Sequence, residues 1–294
     1  MKKIVSSLFG LSLALGCVFT ASAQENMAGS ATRPRILQIT REYTKPGKSG
    51  MIHDKAESAF VQAEARAKWP THYIGMNSLS GKSRALFFTW YDSFEAMDKD
   101  NAALGKNAAL SAALDRAGAA DGELLESLDQ GIFSFNEEMS LRPMRDISQI
   151  RYLSISIFHV RPGHDQEWGE VVKMVKAAYE KALPDAHWGM YQEMFGGDQG
   201  TYLVLTGRKT LSELDRAMGD SKKFAAAMGE DGMKKLNELF GASAESSQEQ
   251  LFVVNPKMSY VADEWIKADP DFWKPKAAAM PAAKPAVEDK KAKP

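Results

Sequence analysis

The 294-residue chain carries a single cysteine, Cys17, which lies inside an N-terminal apolar stretch. Once that stretch is removed, disulfides, zinc-thiolate sites and a cysteine nucleophile are all excluded, and stability has to come from the core. Neither sign of charge is in excess, with 37 Lys and Arg against 38 Asp and Glu, so a charge-driven nucleic-acid binder is excluded as well. The familiar catalytic signatures are also missing. The chain has no Gly-x-Ser-x-Gly elbow, P-loop, His-Glu-x-x-His or dinucleotide fingerprint, which leaves serine hydrolase, nucleotidase, zincin and dehydrogenase readings without support.

What is present begins with an export signal. Met1-Lys2-Lys3 is positive, Ile4 to Thr20 is mostly apolar, and Ala21-Ser22-Ala23 is the small-x-small pattern of a cleavage site. Residues 1–23 therefore read as a signal peptide, with a mature start at Gln24 and a periplasmic or secreted location in a bacterium. Cleavage leaves no membrane segment. Ala14-Leu15-Gly16-Cys17 is similar to a lipoprotein box but lacks its usual leading leucine, so anchoring through Cys17 is the lesser reading.

The rest of the chain resembles itself. Lys45-Pro46-Gly47 answers to Arg161-Pro162-Gly163 at an offset of 116, Gly75-Met76 to Gly189-Met190 at 114, and Phe87-Phe88-Thr89 to Val204-Leu205-Thr206 at 117. Phe133 to Ser140 answers to Phe252 to Ser259 at 119. The order is kept and the offset drifts little, as small loop changes in a duplicated domain would leave it. Each copy reads as strand, helix, strand, strand, helices, strand. Ile36–Tyr43 and Tyr152–Val160 are first strands ending at a Pro-Gly turn. Ile52, Ala56, Ala59, Phe60, Ala63 and Ala67 recur at helical spacing, as do Trp168, Val171, Val172, Val175 and Tyr179. Second strands start near His72 and His187, and third strands cover Arg84–Tyr91 and Thr201–Gly207. Capping patterns at Asp92-Ser93-Phe94-Glu95 and Thr210-Leu211-Ser212-Glu213 open further helices, including one over Lys222–Phe240. The closing strands are Ile132–Met139 and Leu251–Met258.

That β-α-β-β-α-β order, found twice, resembles the dimeric α/β-barrel superfamily, which includes antibiotic-biosynthesis-monooxygenase-like and NIPSNAP-like proteins. The resemblance implies an α+β fold in which two tandem ferredoxin-like repeats stack their open sheet faces as an intramolecular pseudo-dimeric barrel. The boundaries are a leader at 24–33, repeat 1 at 34–141, a linker at 142–151, repeat 2 at 152–261 and a tail at 262–294. In the tail, Trp265, Phe272 and Trp273 precede an Ala/Pro/Lys-rich stretch expected to be disordered. The aromatic part either straps back over the barrel or serves a protein partner.

Chemistry is harder to read. The resemblance carries no catalytic motif, so catalytic residues are not assigned and whether the chain is an enzyme stays open. His72, Tyr73 and Trp90 of repeat 1, and His187, Trp188, Tyr191 and Tyr202 of repeat 2, are candidate ligand-binding residues, an apolar pocket with a few polar tips. The main functional reading is an exported protein that binds a small apolar or aromatic molecule in a barrel pocket. An alternative, implied by the resemblance, is a monooxygenase-like or haem-linked enzyme, and a third is a scaffold acting through its tail. No cofactor other than this conditional haem is expected, and no metal. His159, His164 and Asp165 flank a turn, but their spacing is no recognised ligand pattern. Met190, Met194, Met218, Met228 and Met233 read as core packing rather than a copper site. His53, near a helix start, is expected to face solvent.

Overall fold

A computed structural model describes residues 34–144 and 146–274. The expected signal peptide with Cys17, the expected leader at 24–33 and the end of the tail lie outside the described residues. Each half has the expected order. The first comprises β1 (Ile36–Thr44), α1 (Met51–Ala67), β2 (Tyr73–Ser78), β3 (Arg84–Tyr91), α2 (Phe94–Lys106), α3 (Ala108–Gly122) and β4 (Leu125–Leu141). The second comprises β5 (Tyr152–Val160), α4 (Asp165–Ala182), β6 (Trp188–Phe195), β7 (Thr201–Arg208), α5 (Ser212–Ser243) and β8 (Ala244–Val254). A 3-10 turn (Pro256–Met258) and two short helices, α6 (Asp263–Ala268) and α7 (Pro270–Trp273), follow. No helix among the described residues is long and apolar enough to cross a membrane.

The eight strands close into an antiparallel barrel in the order β1-β3-β2-β8-β5-β7-β6-β4. Within each half the order is last-first-third-second, and two seams join the halves. At one, Asn77 pairs with Val253; at the other, Phe135 pairs with Tyr191. The registers of the halves match closely. Glu42 lies opposite Ala85 and Leu128, and Phe158 lies opposite Tyr202 and Ser247. One residue further on, both first strands shift register against their outer neighbour, between Tyr43 and Thr44 and between His159 and Val160.

Strand alternation sorts the side chains. Leu37, Ile39, Ile74, Met76, Leu86, Phe88 and Phe133, with Leu153, Ile155, Tyr191, Leu203, Phe252 and Val254, fill the barrel interior. Their neighbours in sequence face the helices. Trp265 and Trp273 join the interior cluster, so the aromatic tail closes the barrel end where β1 and β5 begin. The Trp273 indole donates to the Ser148 carbonyl at 3.2 Å, and Arg151 pairs with Asp269 and lies over the Phe272 ring. The opposite end is a polar mouth lined by Tyr43, Lys82, Arg84 and Asp129.

Several elements differ from the sequence reading, each for a local reason. β4 and β8 begin seven residues earlier than expected, at Leu125 and Ala244, because polar runs such as Glu126–Gln130 are strand that extends into solvent. β8 also stops earlier, since Pro256 cannot donate to a ladder and Asn255 caps the 3-10 turn at Lys257. Gly229, at φ 71, divides α5 in two. Ser93 caps α2 by accepting from the Ala96 amide. At α5 only the reciprocal half of a capping box forms, with Glu213 accepting from the amides of Lys209 and Thr210.

The largest correction concerns α1. Its buried positions are His53, Glu57 and Ala63, whereas Ile52 is 52% exposed. The core-facing side is thus turned by about one residue from the apolar stripe. His53 is 1% exposed rather than solvent-facing.

Candidate functional site

The layer between sheet and helices is built differently in the two halves. In the second half, α4 and α5 pack over the outward residues of β5, β6 and β7 and leave a cavity of about 1040 Å³. Phe158, Trp168, Val172, Trp188, Met190 and Val204 give it an apolar body. At the ends of β5 and β7 it turns polar, with Ser154, Thr206, Arg208 and His187. Arg208 donates to the Ser154 hydroxyl at 3.2 Å. Burial works against the Arg208 charge, and Glu213 and Glu249 partly restore it. The Trp168 indole N–H is buried without an acceptor.

The candidate residues fall into three places. His187 and Trp188 line this cavity, and Tyr202 packs against Trp168 with ring centroids 5.5 Å apart. Tyr191 points into the barrel interior beside Phe135. His72, Tyr73 and Trp90 meet in the first half, around a void of about 10 Å³ that also touches Trp265. Such a void holds no more than a water. His72 stacks on Tyr260 at 4.7 Å, and burial lowers its pKa.

Among the described residues, no comparable cavity lies beneath α1 in the first half. In its place, Glu42 from β1, His53 and Glu57 from α1 and Asp121 from α3 converge, all buried. His53 Nε2 stands 3.2 Å from Glu42 Oε2, 3.3 Å from Asp121 Oδ1 and 3.8 Å from Glu57 Oε1. Burial alone would push His53 down, but the Asp121 and Glu42 carboxylates outweigh it and raise it to about 10. Burial, then the Glu42 and Asp121 charges, raises Glu57 to about 9. The polar layer continues along α1 to Glu64, a carboxyl beside the Tyr73 hydroxyl; burial pushes Glu64 up to about 8. The sequence did hold a signal for this cluster: His53 and Glu57 are an i, i+4 pair, and Glu42 has the outward parity of β1.

These groups set the pH dependence. Glu64 and Glu57 are acids whose folded pKa lies above the unfolded one, and His53 is a base with the same direction of shift. Between about pH 5 and pH 10 the native state therefore holds more protons than the unfolded chain, and stability falls as pH rises. Chemical denaturation in EDTA is expected to show a loss on the order of a few kcal/mol from pH 6 to pH 9, with Glu64→Gln flattening part of the slope. A flat or rising profile contradicts this arrangement.

The other histidines are accounted for separately. His159 Nδ1 lies 3.1 Å from the Thr201 hydroxyl, and His164 faces Glu167. They do not converge on Asp165 as a metal group. Met194 and Met218 are exposed, so the methionines form no common site with buried Met190. His187 directs Nδ1 at the Asp185 carbonyl and Nε2 at the Gly207 carbonyl, both at 3.0 Å. No lone pair of His187 points into the large cavity, so the histidines present do not fit a haem ligand there.

No family model and no curated protein matches this chain. Solved structures do. An anthrone oxidase-like protein aligns at TM-score 0.51 and 13% identity, over 77% of this chain and 93% of its own. A protein from Fusobacterium nucleatum, provisionally described as a monooxygenase, aligns at TM-score 0.48 and 11% identity, over 75% and 92%. Chlorite dismutase from Candidatus Nitrospira defluvii, in complex with imidazole, aligns at 0.42 and 13% identity, over 83% and 98%. At these identities the likeness is one of fold, the dimeric α/β-barrel type.

Proposed function

We propose that the chain is an exported binding protein, a duplicated ferredoxin-like unit whose second half takes up a small apolar or aromatic molecule bearing one polar or anionic end. The observation that carries this reading is the cavity under α4 and α5. Its volume is that of a small-molecule site and its body is apolar and aromatic, with Arg208 and His187 on the sheet side and Glu213, Arg216, Asp220 and Lys223 of α5 along its polar rim. Burying the apolar part of the ligand supplies the affinity, while Arg208 orients its polar end. The monooxygenase and haem readings gain no residue here.

The test uses 1-anilinonaphthalene-8-sulfonate, an aromatic probe with one anionic group. Its fluorescence is expected to rise to saturation at one probe per chain. Val175→Trp, which fills the cavity, should weaken binding by tenfold or more, and Arg208→Ala by a few-fold, with circular dichroism unchanged. Saturable binding unaltered in both variants would place the probe elsewhere and overturn the assignment.

A further inference from the structure

The same positions carry opposite chemistry in the two halves. Where the second half has Phe158 on its first strand, with Trp168 and Val172 on the helix above, the first half has Glu42, His53 and Glu57. Phe158 and Trp168 touch, with ring centroids 5.0 Å apart, just as Glu42 touches His53. Apolar groups there make ordinary packing, so the polar set is not a demand of the fold. It is also expensive: three carboxylates buried with a single imidazole are poorly compensated. Their only ion pairs among the described residues run to His53.

We propose that Glu42, His53, Glu57 and Asp121 form a binding site for one divalent metal ion in the first half of the barrel. The four donor atoms lie within 4.8 Å of one another. Metal–ligand bonds of about 2.1 Å place neighbouring ligands roughly 3.0 Å apart in octahedral and 3.4 Å apart in tetrahedral coordination. Two of the separations around His53 Nε2, 3.2 and 3.3 Å, fall between those values, and the third, 3.8 Å, is slightly longer than the tetrahedral spacing. A second observation points the same way: Glu57 is 3% exposed, and its Oε1 is turned toward the centre of the cluster with no hydrogen-bond partner. One imidazole with three carboxylates, and no thiolate, is a hard, oxygen-rich set that suits Mn²⁺, Fe²⁺ or Zn²⁺ rather than Cu⁺. The divalent charge replaces the missing cation. The site lies apart from the second-half cavity and does not depend on it.

Mn²⁺ alone is the probe. The EDTA-stripped full mature chain is titrated with MnCl₂, free ion is read by electron paramagnetic resonance, and melting is followed with and without the ion. The expected result is one Mn²⁺ per chain and a higher Tm. Glu57→Gln and Asp121→Asn should each bind at least tenfold more weakly, while the exposed Glu95→Gln should match the wild type. No retained ion and no shift in Tm would mean that His53 alone offsets the carboxylates, and would overturn the proposal. So would Mn²⁺ binding of equal strength in both variants. If a variant fails to fold, Mn-edge anomalous scattering from wild-type crystals decides the matter: a peak among the four residues supports the site, and a peak elsewhere or none refutes it.

Discussion

A chain ending at residue 261 is expected to melt about 10 °C or more below the full-length protein. The truncation removes Trp265 and Trp273, each 5% exposed within the barrel cluster. Losing a buried tryptophan costs roughly 3–5 kcal/mol, and a domain of this size shifts by about 2–4 °C per kcal/mol. The cut also takes away Asp269, the partner of Arg151, and leaves the Ser148 carbonyl without its indole donor. Differential scanning calorimetry checks this. An unchanged melting temperature would mean that the aromatic tail is free, and would return it to the role of a peptide for a protein partner.

Gly75→Ala is expected to destabilise the fold by about 3 kcal/mol or more. A Cβ at Gly75 would stand 2.3 Å from the Met258 carbonyl oxygen and 2.8 Å from Met258 Cβ. The backbone there is pinned on both sides. The Gly75 amide donates to the Ser259 hydroxyl, and its carbonyl accepts from the Asn255 amide, each at 2.9 Å. The turn after β8 therefore cannot retreat without breaking those bonds. Gly189 of β6, opposite Leu205, supplies the control. Its Cβ would meet Tyr191 Cε2 at 3.5 Å, Phe135 Cε2 at 3.8 Å and Pro143 Cβ at 4.0 Å, all ordinary contacts, so Gly189→Ala should cost less than about 1 kcal/mol. Urea denaturation of the two variants compares them, and equal losses would show that the Met258 turn yields.

The strands and their order were legible because alternation and Pro-Gly turns are local signals. Ile36, Leu37 and Ile39, or Leu153 and Ile155, announce buried β-strand without tertiary information. The β2–β8 seam was not readable as a register, since no local signal sets a pairing between residues far apart in sequence. Helix α1 shows where an apolar-only reading fails. Its alanines and Ile52 draw the eye to one stripe, yet the buried side carries His53 and Glu57, which a hydrophobicity pattern counts as solvent-facing. Their burial follows from Glu42 and Asp121, which approach from other elements. The candidate ligand residues divided for a similar reason. Tyr73 and Trp90 are both aromatic, but strand parity sends Trp90 into the barrel and Tyr73 toward the helices. Trp188 and Tyr191 differ in the same way. The apolar set around Trp168 and Val172, read as helix packing, also walls the large cavity, and only the placement of α5 over β7 makes that visible.

Two similarly built layers differ in chemistry, and a crystal structure of the protein with 1-anilinonaphthalene-8-sulfonate tests the consequence most directly. The naphthalene ring is expected between α4, α5 and the outer face of β6, with the sulfonate toward Arg208 and nothing under α1. Probe density under α1, inside the barrel or only on the surface would contradict it.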